Sequence, residues 1–227
     1  MLATSWRTPM ASVKYKTAWL YIYIMRVLEL FSGTGSVGNV CRARGMDVVS
    51  LDRDMPADIR CDILDWDFNA YEPKSFDFIW ASPACTEYSI AKTTGVRDIE
   101  QANRVSQRTI EIIRYLDPKY WVIENPQTGK LKEQAFMHEL PYDDIDYCKY
   151  GMPYRKRTRL WNNIIGWEPR PLCKRDCNSM NADRKRHNET AQRAPPSGRE
   201  GRHFRQRDLY KVPEPLITEI VASIDDQ

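Results

Sequence analysis

A glycine-rich loop that joins an apolar segment to a helical one is the feature that most limits what this chain can fold into. The segment Arg26–Phe31 (RVLELF) is followed at once by Gly33-x-Gly35-x-x-Gly38. Glycines at this spacing, between a strand and a helix, let the backbone approach a nucleotide-like ligand closely. The motif therefore predicts the first strand–loop–helix unit of an α/β domain that binds a nucleotide-like cofactor.

Strand and helix patterns alternate after this loop. Val37–Arg44 and Asp98–Leu116 have the apolar spacing of helices. The further segments predicted as buried strands are Asp47–Leu51, Ser75–Ala81 and Lys119–Ile123. Such alternation is typical of right-handed βαβ units in a mostly parallel sheet, whose ligands bind at the carboxyl ends of the strands. We therefore predict an α/β, Rossmann-like sheet.

Two residues suited to covalent chemistry follow neighbouring predicted strands. Cys85 comes after Pro83-Ala84, and Glu124 comes after the next strand. A thiolate that adds to C6 of cytosine makes C5 nucleophilic toward a methyl sulfonium, and an acid at N3 eases that addition. A buried cysteine is often inert, and a strand-end glutamate often only caps or forms an ion pair. Cys85 and Glu124, in this order and beside a nucleotide-like site, fit methyl transfer to C5 of cytosine. Because only the thiolate attacks, we expect the pocket to lower the pKa of Cys85.

Several motifs from Met25 onward resemble, in this order, those of the cytosine C5 methyltransferase family. They are ELFSGTGSVG, the aspartates Asp52 and Asp62, SPACTEYS, VIENP, Tyr150–Pro153 with the following arginines, and KVPEPLITEI. The resemblance implies a Rossmann-like S-adenosylmethionine-dependent methyltransferase sheet with a small irregular target-recognition insert. It also implies S-adenosylmethionine as the methyl donor and double-stranded DNA, with a flipped cytosine, as the partner.

The resemblance also assigns site residues. Asp52 ends the second strand, where it can accept hydrogen bonds from ribose hydroxyls, and Phe31 would lie against the adenine. The catalytic residues that it implies, with the arginines contacting the base or ordering the pocket, are Cys85, Glu124, Arg157 and Arg159. The residues that it implies for the cofactor are Phe31, Ser32, Gly33, Thr34, Gly35, Asp52, Arg53, Asp62, Ile63 and Pro83.

The chain departs from the family pattern at three places. Ala84 replaces the usual proline before the nucleophile, which removes a fixed φ and should loosen the loop. Arg155 replaces the glutamine that usually opens the arginine motif, with one extra residue after Pro153. The recognition region is short, as in small phage or viral members. We predict an N-terminal extension (1–24), a catalytic domain (25–167), a reduced target-recognition region (168–208) and a C-terminal helix that completes the catalytic domain (209–227).

Positive charge is concentrated in and before the recognition region. Residues 150–208 hold 15 Lys/Arg and 6 Asp/Glu, a local net of +9, so the remainder carries −6 of the overall +3. This asymmetry indicates a polyanionic partner, although charge runs are also found on simply solvated surfaces. A region this small presents few rigid side chains to base edges, so we expect a recognition site of about two to four base pairs.

The recognition region also contains metal-ligand residue types. Cys173-x3-Cys177 is followed by His187 and His203. Zinc bound by such residues can give a core to a segment too short to build one. The spacing is not that of a standard zinc finger and the fourth ligand is not evident. Cys173, Cys177 and His187 are therefore zinc candidates, with ordinary surface cysteines as the alternative.

Composition excludes some classes of protein. No apolar run reaches the ~20 residues of a membrane span, and residues 1–24 lack the pattern of a secretory signal. The 6 cysteines are irregularly spaced, which does not suggest a disulfide framework. We expect a cytoplasmic protein, in a bacterium or an infected host cell, that acts without a membrane and with no protein partner implied.

Three rival interpretations stay open. A tRNA cytosine C5 methyltransferase would use the same chemistry. An NAD oxidoreductase would share the glycine loop but would leave Cys85 and Glu124 without a role. A catalytically weak nucleic-acid-binding relative is the non-enzymatic interpretation, and Ala84 is the residue that motivates it.

Overall fold

A computed structural model describes residues 23–191 and 206–225 of the chain. The strands are β1 (Arg26–Leu30), β2 (Asp47–Asp52), β3 (Ile59–Arg60), β4 (Phe78–Ala81), β5 (Tyr120–Pro126), β6 (Tyr142–Asp146) and β7 (Arg157–Asn162). The helices are α1 (Ser36–Ala43), α2 (Ile99–Leu116), α3 (Gln206–Leu209) and α4 (Glu214–Asp225). Short 3-10 helices cover Phe68–Ala70, Lys130–Glu133, Ala135–Met137 and Tyr147–Tyr150.

All seven strands form one sheet in the order β3-β2-β1-β4-β5-β7-β6. The strands from β3 to β5 in this order are parallel to one another, and β7 runs antiparallel to both of its neighbours, β5 and β6. The prediction of an α/β, Rossmann-like, mostly parallel sheet is confirmed. Strands β3, β6 and β7 were not predicted, because they are short or alternate charged with apolar residues instead of forming an apolar run.

Both faces of the sheet are buried, which is why its central strands read as continuous apolar segments. Alternate residues of each strand point to opposite faces. Val27, Val122 and Leu160 pack with helices α1 and α4 on one face. Leu28, Ile123 and Trp161 pack with α2 on the other. The C-terminal helix thus lies against the first strand–loop–helix unit.

Two boundaries differ from the prediction in a way that affects the site. Strand β4 begins only at Phe78, whereas β5 continues through Pro126. Glu124 therefore lies inside a strand, paired with Leu160 of β7, and does not follow a strand end as predicted. This pairing fixes the backbone of Glu124, from which the carboxylate extends.

Some predictions fall on parts of the chain that the structure does not describe. Most of the predicted N-terminal extension, residues 1–22, lies outside the described residues, as does His203. Within residues 168–191 there is no regular helix or strand, only isolated bridges. No helix in the two described ranges combines the length and the apolar character that crossing a membrane requires.

Candidate active site

The loop between β1 and α1 has an unusual backbone. Phe31, Gly33 and Gly35 have φ angles of 59°, 53° and 69°, all in the left-handed region. Glycine adopts this region without penalty, but a phenylalanine there costs about 1–3 kcal/mol and persists only where its surroundings require it. The side chain of Ser32 is buried, and its Oγ has no hydrogen-bond partner. The loop therefore has the form of a ligand cradle with one polar group still unsatisfied.

Asp52 fixes this cradle from the end of β2. Its Oδ2 accepts a hydrogen bond from Gly33 N at 2.9 Å, and its Oδ1 accepts from Asp54 N and Met55 N. Arg53 forms an ion pair with Asp62 at 3.2 Å, and the neighbouring Ile63 is buried. The structure thus gathers the residues predicted for the cofactor at the carboxyl ends of β1 and its neighbours.

Gly38 is explained by packing rather than by ligand contact. A Cβ atom at this position would lie 2.5 Å from Oε2 of Glu29. The carboxylate of Glu29 is buried and accepts hydrogen bonds from Val37 N and Gly38 N at the start of α1. Burial, only partly offset by these hydrogen bonds, raises the pKa of Glu29 to about 7. The third glycine of the motif therefore allows the helix to approach a buried carboxylate of β1.

The loop that carries Cys85 is anchored on both sides. Ser82 N donates to Leu30 O at 3.2 Å, and the side chain of Asn125 donates from Nδ2 to Pro83 O at 2.9 Å. Tyr88 is fully buried, and its hydroxyl donates to Asn103 Oδ1 of α2. These contacts position Cys85, which is partly exposed, despite the neighbouring exposed Ala84 in place of a proline.

Glu124 lies on the adjacent strand with two partners on one oxygen. The residue is 6% exposed, and its Oε1 accepts a hydrogen bond from the Tyr147 hydroxyl at 2.9 Å. The ammonium of Lys156 lies 3.3 Å from the same oxygen and 4.8 Å from the centre of the Tyr147 ring. A buried carboxylate with a cation and a neutral donor therefore lies on β5, beside the carboxyl end of β4, from which the Cys85 loop continues.

Comparison with known proteins identifies the family. The chain is 37% identical, over 217 residues, to a protein of Frog virus 3 (isolate Goorha) named probable DNA (cytosine-5)-methyltransferase. The alignment covers 87% of this chain and 99% of the viral protein. The chain belongs to the DNA (cytosine-5)-methyltransferase family. This confirms the resemblance seen in the sequence motifs, although no family model matches the chain.

Two solved structures are also similar to this methyltransferase. A protein described as a DNA modification methyltransferase, encoded within an E. coli prophage, is 16% identical with a TM-score of 0.49, over 66% of this chain and 52% of that one. The Entamoeba histolytica methyltransferase EhMeth is 15% identical with a TM-score of 0.48, over 66% and 56%. The chain spans about half the length of these two proteins.

The two arginines of the methyltransferase motif do not contact Glu124. Arg157 forms a two-pronged ion pair with the fully buried Asp146, and Arg159 forms one with Asp144. In the β5–β7 register Glu124 lies opposite Leu160, so Arg157 and Arg159 point to the other face of the sheet. Their predicted contact with the base stays a prediction.

Lys156 is the cation that sequence reasoning missed. It lies in the same motif, one residue before Arg157, and the structure brings it to the catalytic candidate Glu124. The signal that could have placed Lys156 near Glu124 is the alternation of side chains along β7, a strand that was not predicted. With β7 recognised, Thr158 and Leu160 share the face of Glu124, and Lys156 continues that series.

The electrostatics of Cys85 in this methyltransferase differ from the expectation. Burial raises the pKa of the Cys85 thiol, the Lys156 ammonium lowers it, and the Glu124 carboxylate raises it again. The net shift is upward, so the expectation that the pocket lowers this pKa is wrong for the protein alone. A thiolate at Cys85 therefore needs an additional change in its surroundings, such as a ligand that neutralises Glu124.

The pH dependence of Cys85 alkylation provides a test of this arrangement. Because the pKa is raised, iodoacetamide should label Cys85 slowly at neutral pH and faster only at alkaline pH. Lys156→Met removes a cation and should shift the labelling profile to higher pH, whereas Glu124→Gln removes an anion and should shift it to lower pH. Mass spectrometry of the Cys85 peptide measures both, with Cys61 as the internal control. Shifts of the same sign in both variants would contradict the geometry.

Proposed function

We propose that this protein transfers a methyl group from S-adenosylmethionine to C5 of cytosine in DNA through a bond between Cys85 Sγ and C6. The observation that supports this most is that a partly exposed thiol follows β4 while the buried carboxylate of Glu124 lies on β5, the neighbouring parallel strand. The named activity of the Frog virus 3 relative points to DNA as the substrate.

The cradle fits S-adenosylmethionine. Gly33 and Gly35 adopt left-handed φ angles and carry no side chain that would keep a ligand from the loop, and the buried Oγ of Ser32 lacks a partner. Asp52 and Asp62 lie at neighbouring strand ends, where carboxylates can accept hydrogen bonds from ribose hydroxyls and from an adenine amino group. When bound, S-adenosylmethionine supplies an electrophilic methyl group on a positively charged sulfur.

The carboxylate site fits cytosine. Both observed contacts fall on Oε1 of Glu124, so we assign Oε2 to N3 of the base. When Cys85 adds to C6, negative charge moves onto the ring toward N3 and O2. The proton of the Cys85 thiol passes to Oε2 of Glu124 and from there to N3, and the ammonium of Lys156 stabilises the developing charge. After methyl transfer, the C5 proton is lost to a base, N3 returns its proton to Glu124, and the Cys85–C6 bond breaks to release the thiolate.

Arg157 and Arg159 receive a supporting role in this proposal. Arg157 holds Asp146, the residue directly before Tyr147, and Tyr147 in turn holds Glu124. Arg159 holds Asp144 on the same strand. The two arginines thus hold β6 in place, and β6 leads directly into Tyr147, the hydrogen-bond partner of Glu124.

Double-stranded DNA with an extruded base is the proposed substrate. A carboxylate that is 6% exposed cannot reach N3 of a base that is stacked and paired, so the target cytosine has to leave the helix. The net charge of +9 over residues 150–208 suits the phosphate backbone.

A direct test is methylation of an unmethylated bacterial genome and of unmodified tRNA by the purified full-length chain with S-adenosylmethionine. We expect 5-methylcytosine in DNA, not in tRNA, within a context of about two to four base pairs, since the recognition region offers few rigid positions for bidentate base contacts. Binding should also weaken steeply with salt, because phosphate contacts dominate.

Each rival interpretation gives a different outcome in this assay. Label in tRNA alone would favour an RNA enzyme, and binding of NAD in place of S-adenosylhomocysteine would favour an oxidoreductase. Tight DNA binding without methyl transfer would indicate the catalytically weak relative. A stringent site of six or more specified base pairs would show that the small recognition region is not the sole reader.

A further inference from the structure

Three cysteines and a histidine converge beside the active site. The ligand atoms of Cys148, Cys173, Cys177 and His187 all lie within 4.8 Å of one another. Sequence reasoning found the last three but not Cys148, which lies in the 3-10 helix that follows β6. An isolated antiparallel β-bridge pairs His187 with Met180 and so brings the histidine back to the cysteines. The four groups thus come from two distant parts of the chain.

The spacing of these atoms matches tetrahedral zinc. Zn–S distances of about 2.3 Å and Zn–N distances of about 2.0–2.1 Å place sulfur and nitrogen ligands about 3.6 Å apart, and two sulfurs about 3.8 Å apart. Cys173 Sγ lies 3.5 Å from Nε2 of His187. All six cysteines of the chain are free thiols, so the cluster is not a disulfide. A small contraction would bring the four atoms into a closed coordination shell.

The surroundings of the cluster suit a bound cation. Cys148, Cys173 and Cys177 are 4%, 6% and 7% exposed. The backbone N–H groups of Arg175 and Asp176 lie beside Cys173 Sγ, where they would stabilise negative charge on a metal-bound sulfur. Arg175 adopts φ 68°, and this left-handed turn directs the chain around the sulfur.

The cluster is also the only core that the described part of the recognition region possesses. Residues 168–191 contain no regular helix or strand. The buried residues of this segment, Cys173 and Cys177, pack with Cys148 and the partly buried Met180. A segment this short does not bury enough apolar surface to hold one conformation, and a structural metal is the usual substitute.

We infer that Cys148, Cys173, Cys177 and His187 bind one Zn²⁺ in a closed, structural Cys3His site that fastens the recognition region to the catalytic domain. Four protein ligands leave no open position, so this zinc does not take part in the reaction. Cys148 is the ligand from the catalytic side, and the other three belong to the recognition region.

The zinc site adjoins the residues that hold Glu124 in place. Cys148 directly follows Tyr147, whose hydroxyl donates to Glu124. Cys173 N donates to Asp146 Oδ2 at 2.9 Å, so the residue before Tyr147 is tied to the same cluster. The metal therefore fixes the recognition region relative to the carboxylate that holds the base.

Metal analysis of the purified full-length chain, grown with zinc and without chelator, tests the site without any substrate. We expect about one zinc per chain in the wild type and in the control Cys61→Ser, whose thiol lies outside the cluster. Cys148→Ser and His187→Ala should each reduce zinc at least fivefold. Circular dichroism establishes that each variant is folded.

Two further measurements make the result independent of folding defects. His187→Cys, which converts the site to four thiolates, should retain zinc. Cobalt in the wild type should show tetrahedral absorption with a thiolate charge-transfer band that is stronger in His187→Cys. Folded wild-type protein with less than about 0.2 metal per chain, a disulfide within the cluster, or zinc that survives both Cys148→Ser and His187→Ala would overturn the inference.

Discussion

DNA that carries 5-fluorocytosine at the target position is expected to form an adduct with this protein that survives denaturation, and Cys85→Ala is expected to abolish it. Fluorine at C5 cannot leave as a cation, so the Cys85–C6 bond cannot be broken once the methyl group has been transferred. The same variant should lose methyl transfer to normal DNA by on the order of 10⁴-fold or more, as expected when a nucleophile is removed.

A matched control separates this chemistry from general thiol reactivity. Cys61 is also partly exposed, and its thiol donates a hydrogen bond to the backbone oxygen of Asp62. Cys61→Ala should form the adduct as the wild type does. Mass spectrometry of the trapped peptide then locates the bond, and an adduct that persists in Cys85→Ala would rule out Cys85 as the nucleophile. S-adenosylhomocysteine binding shows whether Cys85→Ala retains its cofactor site.

The parts of the molecule that the sequence predicted are those governed by local patterns. The buried parallel strands give continuous apolar segments, and α2 gives a helical stripe that ends before Asp117, so both could be located within a few residues. The glycine loop predicted a cofactor cradle because left-handed backbone is confined to few residue types. Each of these signals is contained within a short stretch of the chain.

The parts that could not be predicted depend on contacts between distant segments. Strands β6 and β7 carry Asp144, Asp146, Arg157 and Arg159, which look solvent-exposed in the sequence but pair with one another across the sheet. The position of Lys156 at Glu124 follows from the register of β7. Cys148 joins the zinc candidates from 25 residues before Cys173, a separation that no local motif encodes.

The arrangement around Glu124 would allow one carboxylate to serve both of its proposed roles, binding of the base and catalysis. Tyr147 remains a neutral donor, since burial and the adjacent carboxylate raise its pKa well above the usual value. Its hydrogen bond fixes Oε1, and the ammonium of Lys156 compensates the buried charge. Removing both would leave an uncompensated carboxylate in the interior, which is costly.

Glu124→Gln is expected to reduce the rate of methyl transfer by about 10²–10⁴-fold, the range found for loss of a general acid. Glutamine fills the same volume and still accepts a hydrogen bond from Tyr147, so folding and S-adenosylhomocysteine binding should be unchanged. The amide cannot protonate N3, which is why the loss should appear in kcat more than in KM.

The neighbours of Glu124 provide graded comparisons for that result. Tyr147→Phe removes one hydrogen bond to a charged group, worth about 1.5–3 kcal/mol, and should slow the reaction by about 10–100-fold. Lys156→Met should act similarly and should also slow adduct formation with 5-fluorocytosine, since it raises the pKa of Cys85. Single-turnover methylation at saturating DNA measures all three variants. If Glu124→Gln stays within a few-fold of the wild type while Lys156→Met is inactive, the proton at N3 comes from Lys156, and Glu124 serves only to hold that ammonium in place.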